Sequence, residues 1–203
     1  MGMVFILEEL VSRVMVIYLG LVPGLVWNDY YLWQLFTYIF LHGNISHILF
    51  NLLALWMFGG ELESYWGSTK FVRYFFFCGI GAGITTVVCT MLFTPEYQLF
   101  PVIGASGAIY GLLLAFGWLF PNRLIYIYFL FPIPAKYFVI IFGFLEFIYF
   151  SRGGGGGISH ITHLGGLLFG LLYMAYPAIR QKIRRERYRR KFSQKDPGGG
   201  YYH

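Results

Sequence analysis

The sequence predicts an all-α protein, a polytopic membrane helical bundle of about five to six transmembrane helices entered through an interfacial first loop. Three observations predict it. Of 203 residues, 58% are hydrophobic, 22% aromatic and only 12% charged, which leaves little to cover a water-facing surface. The apolar residues fall into long segments stopped by Pro or Gly, and spans of about 20 residues joined by short loops fill the chain as one domain. Nine of the fifteen Lys and Arg lie in IRQKIRRERYRRKFSQK, residues 179–195, directly after the last apolar run. Such a run could suggest nucleic acid, but its position is that of a membrane anchor. The membrane domain is therefore expected over 1–178 and a basic tail over 179–203, its GGGYYH end reading as disordered.

Residues 1–13 are too short and too charged to cross, and read as a remnant or a short first helix. Glu8 and Glu9 stand where a cleavable signal needs a basic leader and then an apolar core. Residues 14–44 are apolar but interrupted by Pro23, Gly24, Asn28 and Asp29, and Trp27, Tyr30, Tyr31 and Trp33 suit the headgroup depth, so an interfacial loop is expected. The first clear helix is expected from Ser46 as N-cap, through HILFNLLALWMFGG to the acidic ELE. The second covers 71–93, stopped by Thr94 and Pro95. The third runs from Ser106 to Phe120 before Pro121, the fourth from about Pro134 to Phe150 before SRGGGGG, and the fifth from about Ser159 to Tyr176 before Pro177.

Charge sets the orientation. Lys70, Arg73, Arg123, Lys136 and the nine tail residues share one side, and only Arg13 and Arg152 fall on the other. The crowded side is read as cytoplasmic. His47, Asn51, Ser106 and His163, from three helices, then lie at one depth toward the outer face. The third helix, at about 22 Å, is shorter than a hydrocarbon core of roughly 30 Å. Its N-terminal N–H groups at Ser106 need a water-accessible cavity, because lipid would leave them unsatisfied. Cys78 and Cys89 lie eleven apart on one helix, roughly 16 Å, too far to pair.

The polar residues at that depth form a chemical set. Gly107 and Gly111 make a GxxxG on the third helix, and Gly166 and Gly170 make another on the fifth. Small residues at that spacing let backbones approach, which would carry His163 toward Ser106. Histidine is the side chain suited to activate a serine near neutral pH. The N–H at Ser106 can serve an oxyanion, and His47 and Asn51, four apart on one helix face, can add two donors. Tyr110, one turn below Ser106, can support the imidazole. Neither Glu146 nor Asp29 has a spacing that places it behind His163, so the sequence is read as a Ser/His dyad without a carboxylate. Taken alone, Ser106 reads as a helix-packing hydroxyl, Glu146 as an interfacial charge, and His42 and His160 as loop or structural residues.

These elements resemble the rhomboid family of intramembrane serine proteases over residues 30–178. GASGAIYG, with Gly104, Ser106 and Gly107, resembles the family's GxSG element; HILFN its HxxxN element; and THLGGLLFG, with His163, Gly166 and Gly170, its AHxxGxxxG element, Thr162 standing where alanine is usual. The resemblance implies a rhomboid-like bundle in which Ser106 is the nucleophile and His163 the general base. It further implies an oxyanion hole of His47, Asn51 and the Ser106 N–H, and Tyr110 stacked on the histidine. Trp33 matches the tryptophan of a first-loop Trp-Arg pair, but Gln34 replaces the arginine and puts the anchoring of that loop in doubt.

The expected function is hydrolysis of peptide bonds in or near transmembrane segments of membrane-protein substrates. The bilayer is the other partner, with no nucleic acid, no cofactor and no metal, and the setting is a bacterial inner membrane with the C-terminus cytoplasmic. The alternatives are a catalytically silent rhomboid-like protein that binds membrane clients and a small transporter with broken helices. Gly153–Gly157 reads as a flexible connection or as a mobile cap over the site.

Overall fold

The computed structural model describes residues 13–127, 130–152 and 160–193. Three short helices, α1 (Arg13–Leu19), α2 (Pro23–Asn28) and α3 (Gln34–Thr37), followed by a 3₁₀ turn at Tyr38–Phe40, make up the loop before the bundle. The breaks come where Gly20 and Asp29 interrupt the apolar pattern, as the sequence requires. The loop is well anchored. The C-terminal carbonyls of α1 need donors, and α3 supplies them from three side chains. Trp33 Nε1 donates to the Tyr18 carbonyl at 2.9 Å, Gln34 Nε2 to the Ile17 carbonyl at 2.9 Å, and Thr37 Oγ1 to the Leu19 carbonyl at 2.6 Å. Gln34 is fully buried, and its Oε1 accepts from the Val22 N–H at 2.9 Å. The doubt attached to Gln34 is thus removed: a neutral amide, which donates and accepts, ties down both strands of the loop.

The bundle follows. α4 (Ile45–Ala54) passes through a π-helical stretch at Leu55–Gly59 into α5 (Gly60–Trp66). Its N-cap is Asn44 rather than Ser46, the Asn44 side chain accepting from the His47 N–H at 2.7 Å. Asn at an N-cap serves as well as Ser, and here it is two residues earlier. α6 (Ser68–Phe93) is the longest buried helix, and α7 is Ser106–Leu119, stopped before Pro121 as expected. A two-stranded antiparallel hairpin, β1 (Leu124–Ile127) and β2 (Phe131–Pro134), leads into α8 (Ala135–Ser151). α9 spans His160–Ser193. The sequence ends this helix at Tyr176, but it continues through Pro177. Proline forfeits its own backbone N–H bond and crowds the carbonyl four residues back, a cost of about 3 kcal/mol, but the Arg, Lys, Gln and Glu that follow are strong helix formers and carry the helix on.

Among the described residues, the stretches Ile45–Trp66, Ser68–Phe93 and His160–Glu186 are long and apolar enough to cross a membrane, with Ser106–Leu119 a shorter apolar helix beside them. The protein is an integral membrane helical bundle. α7 is the central helix: nine of its fourteen residues are buried, between α6, α9 and α8. Two buried tyrosines tie the core through backbone carbonyls, Tyr74 to Gly111 and Tyr38 to Gly79, each with an O–H···O distance of 2.7 Å. A buried phenol finds such a partner because an unpaired hydroxyl there is costly. The carbonyl of Tyr38 also accepts from the Gly104 N–H at 2.9 Å, and Leu21 and Val102 exchange two backbone hydrogen bonds. The interfacial loop is thereby stitched to the segment that leads into Ser106. All but the last residue of the expected remnant at 1–13, the Gly153–Gly157 segment and the GGGYYH end lie outside the described residues.

Candidate active site

Ser106 is the first residue of α7, and no side chain caps that helix end. Its first N–H groups are therefore available to a ligand, with the positive end of the helix dipole behind them. The residues beside it are small because another backbone arrives there. A Cβ on Gly166 would fall inside the carbonyl oxygen of Gly107, and one on Gly170 would lie 3.3 Å from the Gly111 Cα. A Cβ on Gly107 would stand 2.7 Å from the Ala82 Cβ on α6 and 2.9 Å from the Thr162 Cγ2 on α9. The two GxxxG runs thus interlock α7 with α9 at backbone contact. Thr162, in the position where alanine is usual, bonds the hydroxyl of Thr86 on α6 at 2.6 Å and fixes α9 from the other side.

That seam sets His163 beside Ser106, with Nε2 to Oγ 2.9 Å. His163 is 5% exposed. The ring of Tyr110 stacks on the imidazole, with centroids 4.3 Å apart and planes 14° from parallel. Its hydroxyl leaves the stack to donate to Glu146 Oε1.

Glu146 stands where the sequence reading had placed no carboxylate. It is 8% exposed, far from an interfacial charge, and its Oε1 lies 3.0 Å from His163 Nδ1, off the line of the ring N–H. Its Oε2 lies 2.5 Å from His160 Nδ1. His160 in turn stacks on Tyr149, with centroids 5.3 Å apart. The reading that neither Glu146 nor Asp29 reaches His163 is corrected for Glu146: the spacing between helices, which decides this contact, is absent from the spacing within the chain. A signal existed even so. Glu146 is the single charge between Lys136 and Arg152 in a 17-residue apolar helix, and an intramembrane carboxylate needs a partner. His160 precedes His163 by three residues on one helix face, so it too could have been read as part of the site. The donor atoms of Glu146, His160 and His163 lie within 4.8 Å of one another, a spacing that a cation could also use.

The remaining polar residues, His47 and Asn51, come from α4 and lie against Gly104, two residues before Ser106. Gly43 N–H points to His47 Nδ1 at 3.4 Å, which leaves the proton of a neutral ring on Nε2. That nitrogen is directed at Gly104, where a Cβ would stand 2.7 Å from it. Gly104 has φ +118°, so both its backbone and its missing side chain are required there. Asn51 is buried, and its Nδ2 has no hydrogen-bond partner. A buried donor left open at a helix terminus is costly unless something arrives to accept from it. The geometry collects a hydroxyl, an imidazole, a carboxylate and unfilled N–H donors.

The family model described as the Rhomboid domain matches residues 29–179. The chain belongs to the rhomboid family. Among curated relatives it is 31% identical over 159 residues to rhomboid protein 1, mitochondrial, of Saccharomyces cerevisiae, with 74% of this chain and 43% of that protein covered. It is 36% identical over 147 residues to rhomboid protease GluP of Bacillus subtilis, covering 70% of this chain and 25% of GluP. With the putative rhomboid protease YdcA of the same bacterium it shares 32% identity over 155 residues, 75% of this chain and 70% of YdcA. The chain thus spans less than half the length of the first two of these rhomboid relatives.

Proposed function

We propose that this rhomboid is an intramembrane serine endopeptidase that cuts peptide bonds in or near the transmembrane segments of other membrane proteins. The observation that carries the reading is the 2.9 Å contact between Ser106 Oγ and His163 Nε2, at an uncapped helix N-terminus and beside the open donor of Asn51. His163 takes the Ser106 proton as Oγ attacks the scissile carbonyl carbon. The oxyanion that forms is held by the Ser106 N–H, His47 Nε2 and Asn51 Nδ2. Collapse breaks the C–N bond, the imidazolium passes its proton to the leaving amine, and an acyl ester on Ser106 remains. A water deprotonated by His163 then hydrolyses the ester and restores both groups.

A substrate helix has its amides paired, so it must unwind locally before a carbonyl can reach Ser106. Helix-breaking residues near the cut favour cleavage for that reason. The names of the relatives, several of them proteases, support the same class of activity. The basic face bearing the 179–195 run is assigned to the cytoplasm of a bacterial plasma membrane, which puts Ser106 toward the outer side.

The test is labelling of detergent-solubilised protein by a fluorophosphonate probe, which reports an activated serine without knowledge of the substrate. The parent is expected to label, and Ser106→Ala and His163→Ala are expected to lose the label entirely. A folded parent that does not label would move the protein to the class of silent rhomboid-like client binders.

A further inference from the structure

α8 packs unlike its neighbours. Along its seventeen residues only Ala135 and Glu146 are buried, so toward its C-terminal end the group turned into the bundle is a carboxylate. That carboxylate meets three side chains from two other helices: the Tyr110 hydroxyl from α7, and His160 Nδ1 and His163 Nδ1 from α9. Burying a carboxylate costs several kcal/mol unless such partners repay it, and an apolar residue would seal the same contact more cheaply. The position within the set is also specific, because the two oxygens divide: Oε2 goes to His160, while Oε1 takes Tyr110 and His163.

We propose that Glu146 is the positioning residue of His163, making the site a Ser106–His163–Glu146 arrangement spread over α7, α9 and α8 rather than a bare dyad. The inference rests on the Ser106/His163 reading above. A carboxylate at Nδ1 keeps the ring proton on that nitrogen and leaves Nε2 with its lone pair toward Ser106, which is the tautomer a general base needs. It also stabilises the imidazolium that forms when Ser106 attacks. Glu146 takes no proton itself. Tyr110 serves twice, since its ring fixes the imidazole plane and its hydroxyl holds Oε1 beneath it. The present approach of Oε1 is off the ring N–H line, and contacts of this kind tighten when substrate binds. His160 competes for the same carboxylate through Oε2, so it moderates how much negative charge His163 receives.

Removing the carboxylate loses the tautomer and the ring orientation that it enforces on His163, so the labelling rate drops while the Ser106–His163 contact set by the glycine seam remains.

The experiment is the second-order rate of fluorophosphonate labelling, in detergent with a chelator present, for the parent, Glu146→Gln, Glu146→Asp and Tyr110→Phe, with thermal unfolding read beside it. For a folded Glu146→Gln the expected result is a rate lower by roughly 10²-fold. That is less than the ~10⁴-fold of a catalytic triad whose Asp becomes Asn, because the stacked tyrosine still fixes the ring plane. Glu146→Asp keeps the charge and is expected to recover part of that loss. A role confined to packing makes the rate follow thermal stability and not the charge, which overturns the proposal, as does a Glu146→Gln rate equal to the parent's. If Glu146→Gln fails to fold, Tyr110→Phe decides: it keeps the stacked ring and releases Oε1, and a rate equal to the parent's refutes the proposal. A parent that does not label refutes the Ser106/His163 reading and this one with it; a parent that labels beside an indifferent Glu146→Gln refutes this one alone.

Discussion

The helices that bring the site together do so in two different ways. α7 and α9 meet as backbones: Gly107, Gly111, Gly166 and Gly170 leave no side chain between them, and the Ser106 to His163 distance is inherited from that seam. α8 meets the same pair as a side chain. Near its start Val139 closes on Gly117, but toward its C-terminal end the buried link is Glu146, reaching out to Tyr110, His160 and His163. A glycine seam is rigid because any added atom is a clash, whereas a polar latch holds only while its partners keep their protons and rotamers. The Ser106–His163 pair therefore sits on the rigid contact, and the Glu146 carboxylate sits on the adjustable one.

The sharpest way to break this contrast is Gly166→Val. Its branched side chain would have to enter the space of the Gly107 carbonyl, and neither helix can move without parting Ser106 from His163. The expected outcome is complete loss of fluorophosphonate labelling together with a loss of stability at or above the upper end of the roughly 1–3 kcal/mol typical of overpacking. Thermal unfolding in detergent reads the second effect. Retention of both stability and labelling would mean that the seam is not what sets the pair.

The next effect is smaller and lies farther from the chemistry. Gln34→Ala strips one acceptor from the Val22 N–H and one donor from the Ile17 carbonyl, in a position that is fully buried. Leaving such groups unsatisfied costs about 1–3 kcal/mol. The loop reaches the segment before Ser106 through backbone hydrogen bonds of Leu21, Gly24 and Tyr38, none of which involves Gln34, so labelling should fall several-fold at most while the melting temperature drops. An unchanged melting temperature would show that Trp33 and Thr37 suffice to hold α1.

What could be read in advance divides along the same line. That Ser106, His163 and Tyr110 come together was legible, because a glycine pattern dictates which helices touch and spacing along one helix sets Tyr110 a turn below Ser106; that His47 and Asn51 share one face of α4 was legible from their spacing. The ends of α7 were legible from Ser106 and Pro121 for the same local reason. Glu146 and His160 were not read as part of the site, since the rotation of α8 about its own axis decides whether a lone carboxylate faces lipid or protein. Gln34 was misjudged by analogy with a charged residue, although an amide offers the donor and the acceptor that this loop needs. The extension of α9 past Pro177 was missed because a proline stop is a tendency that a run of helix formers can override.

The smallest predicted effect tests the open side of α8. Ile140 and Phe144, 65% and 61% exposed, sit one turn apart on one helix face, in a segment whose inward face is marked by Glu146. If that face meets only lipid, the side chains exchange one apolar environment for another on folding, and truncation removes little. Phe144→Ala, alone or with Ile140→Ala, should change stability by less than about 0.5 kcal/mol and leave the rate of labelling by a small probe as it was. Cleavage of a transmembrane substrate is the discriminating readout. If its rate falls in these variants while probe labelling holds, the exposed face of α8 is where the substrate helix rests, and the adjustable contact is also the one nearest the incoming chain. If both rates hold, the substrate approaches Ser106 from another side, and Glu146 acts on His163 independently of how substrate enters.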